Sequence, residues 1–148
     1  MYKHILIATD GSELATKAVE HGLALAKRDN ARVTIVTVTE PWSAFDMAEE
    51  AREHLSDPVG RFEAIATAAA NRILDGAAER GKAHGVACDR VHVESQHPAE
   101  GIVATAKNKG CDLIVMASHG RRGASRLLLG SKAYEVLTHC SVPALIVR

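Results

Sequence analysis

Residues 4–12 of the chain, HILIATDGS, set the pattern on which the fold prediction depends. His4 to Thr9 is a short apolar run of the kind that forms a buried strand, and Asp-Gly-Ser after it is typical of a turn. Ser12 can cap a helix, in which small and apolar residues then share one stripe: Ala15, Ala18, Val19, Gly22, Leu23 and Ala26. The stretch predicts a strand followed directly by a helix that packs closely on it.

The same alternation of strand and helix recurs along the chain. Four more strands are predicted, at Arg32 to Val38, Arg90 to Glu94, Asp112 to Ala117 and Ala144 to Val147. Three more helices are predicted, at Val59 to His84 before Gly85, Pro98 to Lys107 before Gly110, and roughly Ser131 to His139. Such alternation favours one doubly wound α/β domain, a parallel sheet with helices on both faces. Pro41 to Pro58 is left unplaced.

Composition sets the class of protein. A chain of 148 residues, 47% apolar and 24% charged, fits one globular domain over residues 1–148. Eighteen basic residues balance eighteen acidic ones, which gives no global attraction to nucleic acid or to an anionic membrane. With neither a signal peptide nor a membrane span in the sequence, we expect a cytoplasmic protein.

Cysteine and histidine spacing gives no sign of a metal or redox centre. Cys88, Cys111 and Cys140 form no CxxC pair, and no histidines have the HExxH spacing. We therefore expect ordinary reduced thiols and no protein-built metal site.

Ligands of open α/β sheets bind beyond the carboxyl ends of the strands, where the strand order reverses. This rule directs attention to three segments, Ala8 to Ser12, Val38 to Glu40 and Ala117 to Ser131. In the third, MASHGRRG at residues 116–123 precedes Gly130 and Ser131 at a predicted helix start. Glycines let the backbone take positive φ and approach a ligand closely, and amides at the helix start present donors to phosphate oxygens, so the segment would suit phosphate. A simple turn remains an equal alternative.

Charged residues near these segments also have two interpretations. Asp10 can accept hydrogen bonds from a ribose, or form a turn or cap. Arg121, Arg122 and Arg126 can neutralise a polyphosphate. For any one of these arginines, however, the favoured interpretation is a position on a solvated basic face. His119 can donate to phosphate or fasten the loop.

Three segments together resemble the universal stress proteins of the nucleotide-binding type: residues 5–12, residues 112–120, and the close from Gly130-Ser131 to Val147. The family signature is Gly, two residues, Gly, nine residues, Gly, then Ser or Thr. Gly120, Gly130 and Ser131 match it, whereas Ala117 replaces the first glycine. An ordinary negative φ at position 117 would tolerate alanine, and a positive φ would cost about 1 kcal/mol.

The resemblance implies a role for each site residue. Asp10 would hold the ribose, Ala8 and Thr9 would line the adenine side, and Val38 would touch the base. Other residues would flank the nucleoside or surround the phosphates: Met116, Ala117, His119, Gly120, Arg121, Gly130, Ser131 and Ala133. Lys132, where relatives often carry an apolar residue, would face solvent or reach a phosphate.

The resemblance also implies assembly and ligand. It predicts strand order 3-2-1-4-5 and a homodimer through the last strand, although Arg148 and the chain end could instead blunt that edge. The expected ligand is ATP, with Mg²⁺ brought by the phosphates, and AMP or ADP as further possibilities. The expected function is regulatory or stress-protective, with slow or no hydrolysis.

Three other functions compete with this one. An adenylating enzyme or ATPase would need an SGGxDS-like loop after the first strand, where the chain reads TDGSE at residues 9–13. A phosphorelay receiver would need an aspartate after the third strand, where Ser95, Gln96 and His97 stand. A nucleotide-free dimeric scaffold is the alternative that Ala117 favours.

Overall fold

The computed structural model of the protein describes residues 1–53, 57–94, 96–121 and 128–148. Strands and helices alternate within these ranges in the following order: β1 (His4–Ala8), α1 (Glu13–Asp29), β2 (Arg32–Val38), α2 (Ala44–Glu53), α3 (Pro58–His84), β3 (Cys88–Val93), α4 (Pro98–Lys109), β4 (Leu113–Ala117), α5 (Ser131–His139) and β5 (Ala144–Val147).

All predicted elements are present, and β2, α5 and β5 have the predicted bounds. Helix α2 lies in the stretch that sequence analysis left unplaced. Strand β3 starts two residues earlier than predicted, because its ladder with β2 begins at the pair Val33 and Cys88. Gly85 and Gly110 end α3 and α4 in the left-handed conformation, with φ of 73° and 66°, as their positions predicted.

The five strands form one parallel sheet in the order β3-β2-β1-β4-β5, which confirms the predicted topology. Central β1 pairs with β2 on one side and with β4 on the other. Ile5 lies opposite Val33 of β2 and opposite Leu113 of β4. The strand order therefore reverses between β1 and β4, and the carboxyl ends of these strands open the crevice in which such sheets bind ligands.

Helices cover both faces of the sheet, and alternate strand residues supply the two cores. On one face Ile5, Ile7 and Val115 pack with side chains from α1 and α3. On the other face Leu6 and Ile114 pack with side chains from α4 and α5. Within the described residues, no helix has the length and apolar character needed to cross a membrane.

The amino ends of the strands are fastened at the side of the sheet opposite the crevice. Asp112 accepts hydrogen bonds from the backbone amides of Lys3 and His4 at 2.8 and 3.1 Å. Burial acts to raise the pKa of this carboxyl, but the amide donors outweigh it, so the pKa lies below its usual range. At the same end, burial raises the pKa of the Cys111 thiol to about 11, which keeps it protonated and unreactive.

Candidate functional site

A cleft of about 740 Å³ lies at the carboxyl ends of β1, β2 and β4. Its walls come from the loops after these strands, from the first half of α3 and from the start of α5. A smaller space of about 80 Å³, the inner cavity, adjoins the cleft and is lined by the ends of β1, β2 and β4, by Ala15 of α1 and by the first half of α4. The cleft is as large as pockets that hold small-molecule ligands.

Every predicted site residue lines the cleft, the inner cavity or both. Four residues line only the inner cavity: Ala8, Thr9, Met116 and Ala117. Four others line only the cleft: Arg121, Gly130, Ser131 and Ala133. Five residues border both spaces: Asp10, Val38, His119, Gly120 and Lys132. Arg122, Gly123 and Arg126, which sequence analysis also considered, lie outside the described residues.

Asp10 links the two loops that meet at the strand-order reversal. Its Oδ1 accepts a hydrogen bond from the Ser12 amide at 2.9 Å, which makes a local turn. Its Oδ2 accepts from the Arg121 amide at 3.0 Å, from a loop 111 residues away. The helix cap is Ser12, whose Oγ accepts from the Ala15 amide at 3.2 Å. Asp10 is thus a turn former that also faces the cleft.

Gly130 is required by close packing against backbone. It precedes α5 with φ of −62°, and a Cβ at this position would lie 2.5 Å from the carbonyl oxygen of Ser118. Gly120 similarly leaves room for the carboxylate of Asp10, 3.0 Å from its own hypothetical Cβ. The predicted use of positive φ was wrong for these two glycines, since neither takes it. The close contacts at both positions are with protein atoms, so the predicted close approach to a ligand stays a prediction.

Ala117 occupies an ordinary strand position. It is the last residue of β4, pairs with Val147 of β5, and is not among the described residues with positive φ. Its methyl group is buried in the core on the α1 and α3 face. Alanine therefore fits the backbone here without strain, which was the condition set for tolerating it.

The first turn of α5 borders the cleft with its backbone amides. Its N-cap is Gly130, which has no side chain to bond the first-turn amides, and the first helical bond runs from the Tyr134 amide to the Gly130 carbonyl. Ser131 is exposed and Ala133 is buried. Helix amides without a side-chain cap, at the positive end of the helix dipole, favour an anion.

Lys132 reaches across the cleft, although its side chain remains about half exposed to solvent. Its Nζ lies 2.9 Å from Oε1 of Glu40, in the segment after β2. His119 is held beside the same loop, since its Nδ1 lies 2.9 Å from the Ser118 hydroxyl. Lys132, His119 and Arg121 give one side of the cleft basic character.

Sequence analysis missed the wall that α3 contributes. Phe62, Ala66, Ala69 and Ile73 share one helix face along the cleft. Their spacing predicted a helix, but an apolar helix face does not by itself indicate whether protein or a ligand lies opposite it. Trp42 lies against Phe62 with ring centroids 4.2 Å apart, so an aromatic pair stands at the end of this wall.

The described cleft holds binding groups more than catalytic ones. Its walls offer amides, the carboxylates of Asp10 and Glu40, basic side chains and apolar side chains. Among the described residues, no group of three or more His, Cys, Asp or Glu side chains could hold a metal ion. Such an arrangement suits a polar, anionic ligand with one apolar part.

The sequence model of the universal stress protein family matches residues 1–148. The chain belongs to this family. It is 32% identical to Universal stress protein YxiE of Bacillus subtilis (strain 168), over all of both chains. Its fold is similar to that of hypothetical protein MJ0577, with a TM-score of 0.79, 27% identity and coverage of 99% and 96% of the two chains.

The fold is also similar to that of a universal stress protein solved in complex with cAMP. The TM-score is 0.70, the identity is 24%, and the match covers 99% of this chain and 97% of the other. At this identity the likeness shows a shared universal stress protein fold.

Proposed function

We propose that this universal stress protein binds an adenine nucleotide, with ATP as the preferred ligand, and acts as a regulatory or stress-protective protein with slow or no hydrolysis. One observation carries the proposal: the fold brings Asp10, the glycine pair Gly120 and Gly130, and the start of α5 around one cleft at the strand-order reversal. These groups come from distant parts of the sequence and face one space of suitable size.

In the proposed complex the nucleotide lies across the end of β1. Asp10 accepts hydrogen bonds from the ribose, as acidic residues do in other nucleotide-binding sheets. The base lies on the apolar side formed by Val38, Met116 and the inner cavity. The phosphates face the amides of Gly120 and of the first turn of α5, with the Ser131 hydroxyl as an added donor.

The cAMP complex supports this proposal at the level of the fold, because it shows that a protein of this architecture holds an adenine nucleotide. For the present chain, the support comes from the cleft itself. Mg²⁺ would enter with the phosphates, since it binds chiefly to phosphate oxygens and water and needs few protein ligands. ADP and AMP would occupy the same place with fewer phosphate contacts.

Slow hydrolysis is proposed because the described residues around the cleft show no assembled set of groups for phosphoryl transfer. The sequence has no GxxxxGK[ST] loop, and His119 is already fastened to Ser118. Rapid phosphoryl transfer needs a positioned nucleophile and concentrated positive charge at the phosphates. The nucleotide is therefore proposed as a ligand that changes the protein more than as a consumed substrate.

The test is an equilibrium titration of the purified protein with ATP, ADP, AMP and GTP. Trp42 is the single tryptophan of the chain and lies against Phe62, which lines the cleft, so we expect its fluorescence to report occupancy without a label. We expect saturable binding, tightest for ATP and weaker for GTP. Equal binding of ATP and GTP would contradict adenine recognition, and no binding at millimolar ATP would contradict the whole proposal.

We also propose a cytoplasmic homodimer formed through β5. This strand is at the edge of the sheet, and its Leu145 side chain is 38% exposed. An exposed apolar edge strand favours pairing with a second chain. Sedimentation of the wild type should give twice the chain mass, and Leu145→Glu should shift it to the monomer. A dimer that binds no nucleotide would favour the scaffold function instead.

A further inference from the structure

The ion pair between Lys132 and Glu40 spans the mouth of the cleft. Glu40 lies two residues beyond the end of β2, and Lys132 is in the first turn of α5, which follows β4. Since β1 lies between β2 and β4 in the sheet, the pair joins the two segments that flank the end of β1 and Asp10. A ligand laid across that end meets the Lys132 amine.

The pair is suited to exchange. Lys132 and Glu40 side chains are 48% and 45% exposed, and ion pairs this open to water contribute little stability. The lysine ammonium has a flexible stem and three donors, so it can turn from one acceptor to another. A polyphosphate offers it more negative charge and more oxygen atoms than a single carboxylate.

We propose that Lys132 leaves Glu40 and binds the outer phosphates when a nucleotide enters, so that it selects nucleoside di- and triphosphates over nucleosides and monophosphates. This inference rests on the proposed function and assigns the specificity of the same site. Glu40 then has a second effect. Its carboxylate holds the amine in the empty cleft and repels the incoming phosphates, so it weakens binding in proportion to their charge.

The experiment compares the dissociation constants of ATP and adenosine, by calorimetry, in four proteins: wild type, Lys132→Met, Glu40→Gln and Lys107→Met. Methionine is an unbranched side chain only one atom shorter than lysine, and it removes the charge. Lys107 is an exposed lysine in the last turn of α4, at the end of the sheet away from the cleft, and is the matched control.

We expect Lys132→Met to weaken the binding of ATP by about tenfold, as for loss of a charge-assisted hydrogen bond. The affinity for adenosine should change by less than about twofold, because adenosine carries no phosphate. Glu40→Gln should tighten the binding of ATP by about threefold through loss of repulsion. Lys107→Met should bind both ligands as the wild type does. The salt dependence of ATP affinity should also be shallower in Lys132→Met than in the wild type.

Two outcomes overturn the inference in distinguishable ways. If the wild type binds ATP but Lys132→Met leaves the ratio of ATP to adenosine affinity unchanged, Lys132 does not select phosphates and the proposed function stands. If the wild type binds neither ligand, the proposed function fails, and the inference fails with it.

Discussion

The Gly130 amide donates a hydrogen bond to the Ser118 carbonyl at 2.8 Å, and the same oxygen lies 2.5 Å from where any Cβ at position 130 would be. This contact joins the end of β4 to the start of α5. The shape of the proposed phosphate site therefore depends on the absence of a side chain at one residue.

Gly130→Val should displace the loop or the first turn of α5. We expect ATP affinity to fall by at least about tenfold and unfolding free energy by about 1–3 kcal/mol, as for overpacking. Titration and thermal unfolding measure the two effects. Gly76→Ala is the control, since the Cβ it adds has no atom within 4 Å apart from its chain neighbours and the backbone of its own helix. Unchanged ATP affinity in Gly130→Val would show that this contact does not shape the site.

Asp10→Ala tests the proposed ribose contact. In the wild type, 2′,3′-dideoxy-ATP should bind about tenfold more weakly than ATP, because it lacks the hydroxyl donors and leaves the carboxylate unpaired. In the variant the two ligands should bind about equally. Asp89→Ala, an exposed aspartate of β3, is the control. A preference for ATP that survives in Asp10→Ala would place the ribose elsewhere.

Ala117→Gly restores the glycine of the family signature. Because Ala117 is a strand residue without positive φ, the glycine relieves no strain. We expect ATP affinity to change by less than about twofold, and stability to fall by about 1 kcal/mol through greater freedom of the unfolded chain. A tenfold gain in affinity would mean that the alanine methyl obstructs the ligand.

Asp112→Asn tests how the amino ends of the strands are fastened. The pKa of Asp112 lies below its usual range because it accepts from the Lys3 and His4 amides, which outweigh burial. A depressed carboxyl pKa stabilises the fold above the unfolded pKa of about 3.9, and this stability is lost as pH falls through the folded pKa.

At pH 7 the free energy of unfolding of the wild type should therefore exceed that of Asp112→Asn by about 1 kcal/mol. The difference should shrink as pH falls below about 4, where the unfolded carboxyl is protonated. Urea unfolding of both proteins from pH 7 to pH 3 gives the comparison. A difference that stays constant over this range would assign the effect to packing and not to charge.

Most of the fold could be predicted from sequence because β1, β2 and β4 are short apolar runs and because Gly85 and Gly110 mark the ends of α3 and α4. Pro41 to Pro58 was an exception: it mixes acidic and apolar residues between two prolines, and no clear period reveals α2. The strand-end rule directed attention to the segments around this cleft, and every predicted site residue borders the cleft or its inner cavity.

Other features depend on contacts between distant residues. The link from Asp10 to the Arg121 amide and the pair of Lys132 with Glu40 join segments far apart in the chain. The alanine face of α3 has the pattern of a packed helix whether a ligand or a strand lies opposite. Only the folded structure distinguishes these cases.

The most direct test of the central claim is to denature freshly purified protein and identify the released nucleotide by chromatography and mass spectrometry. Wild type and Gly130→Val are prepared in parallel. We expect near-stoichiometric ATP or ADP from the wild type and little from the variant. No adenine nucleotide from the wild type, followed by no binding of added millimolar ATP, would contradict nucleotide binding and favour a nucleotide-free dimeric scaffold.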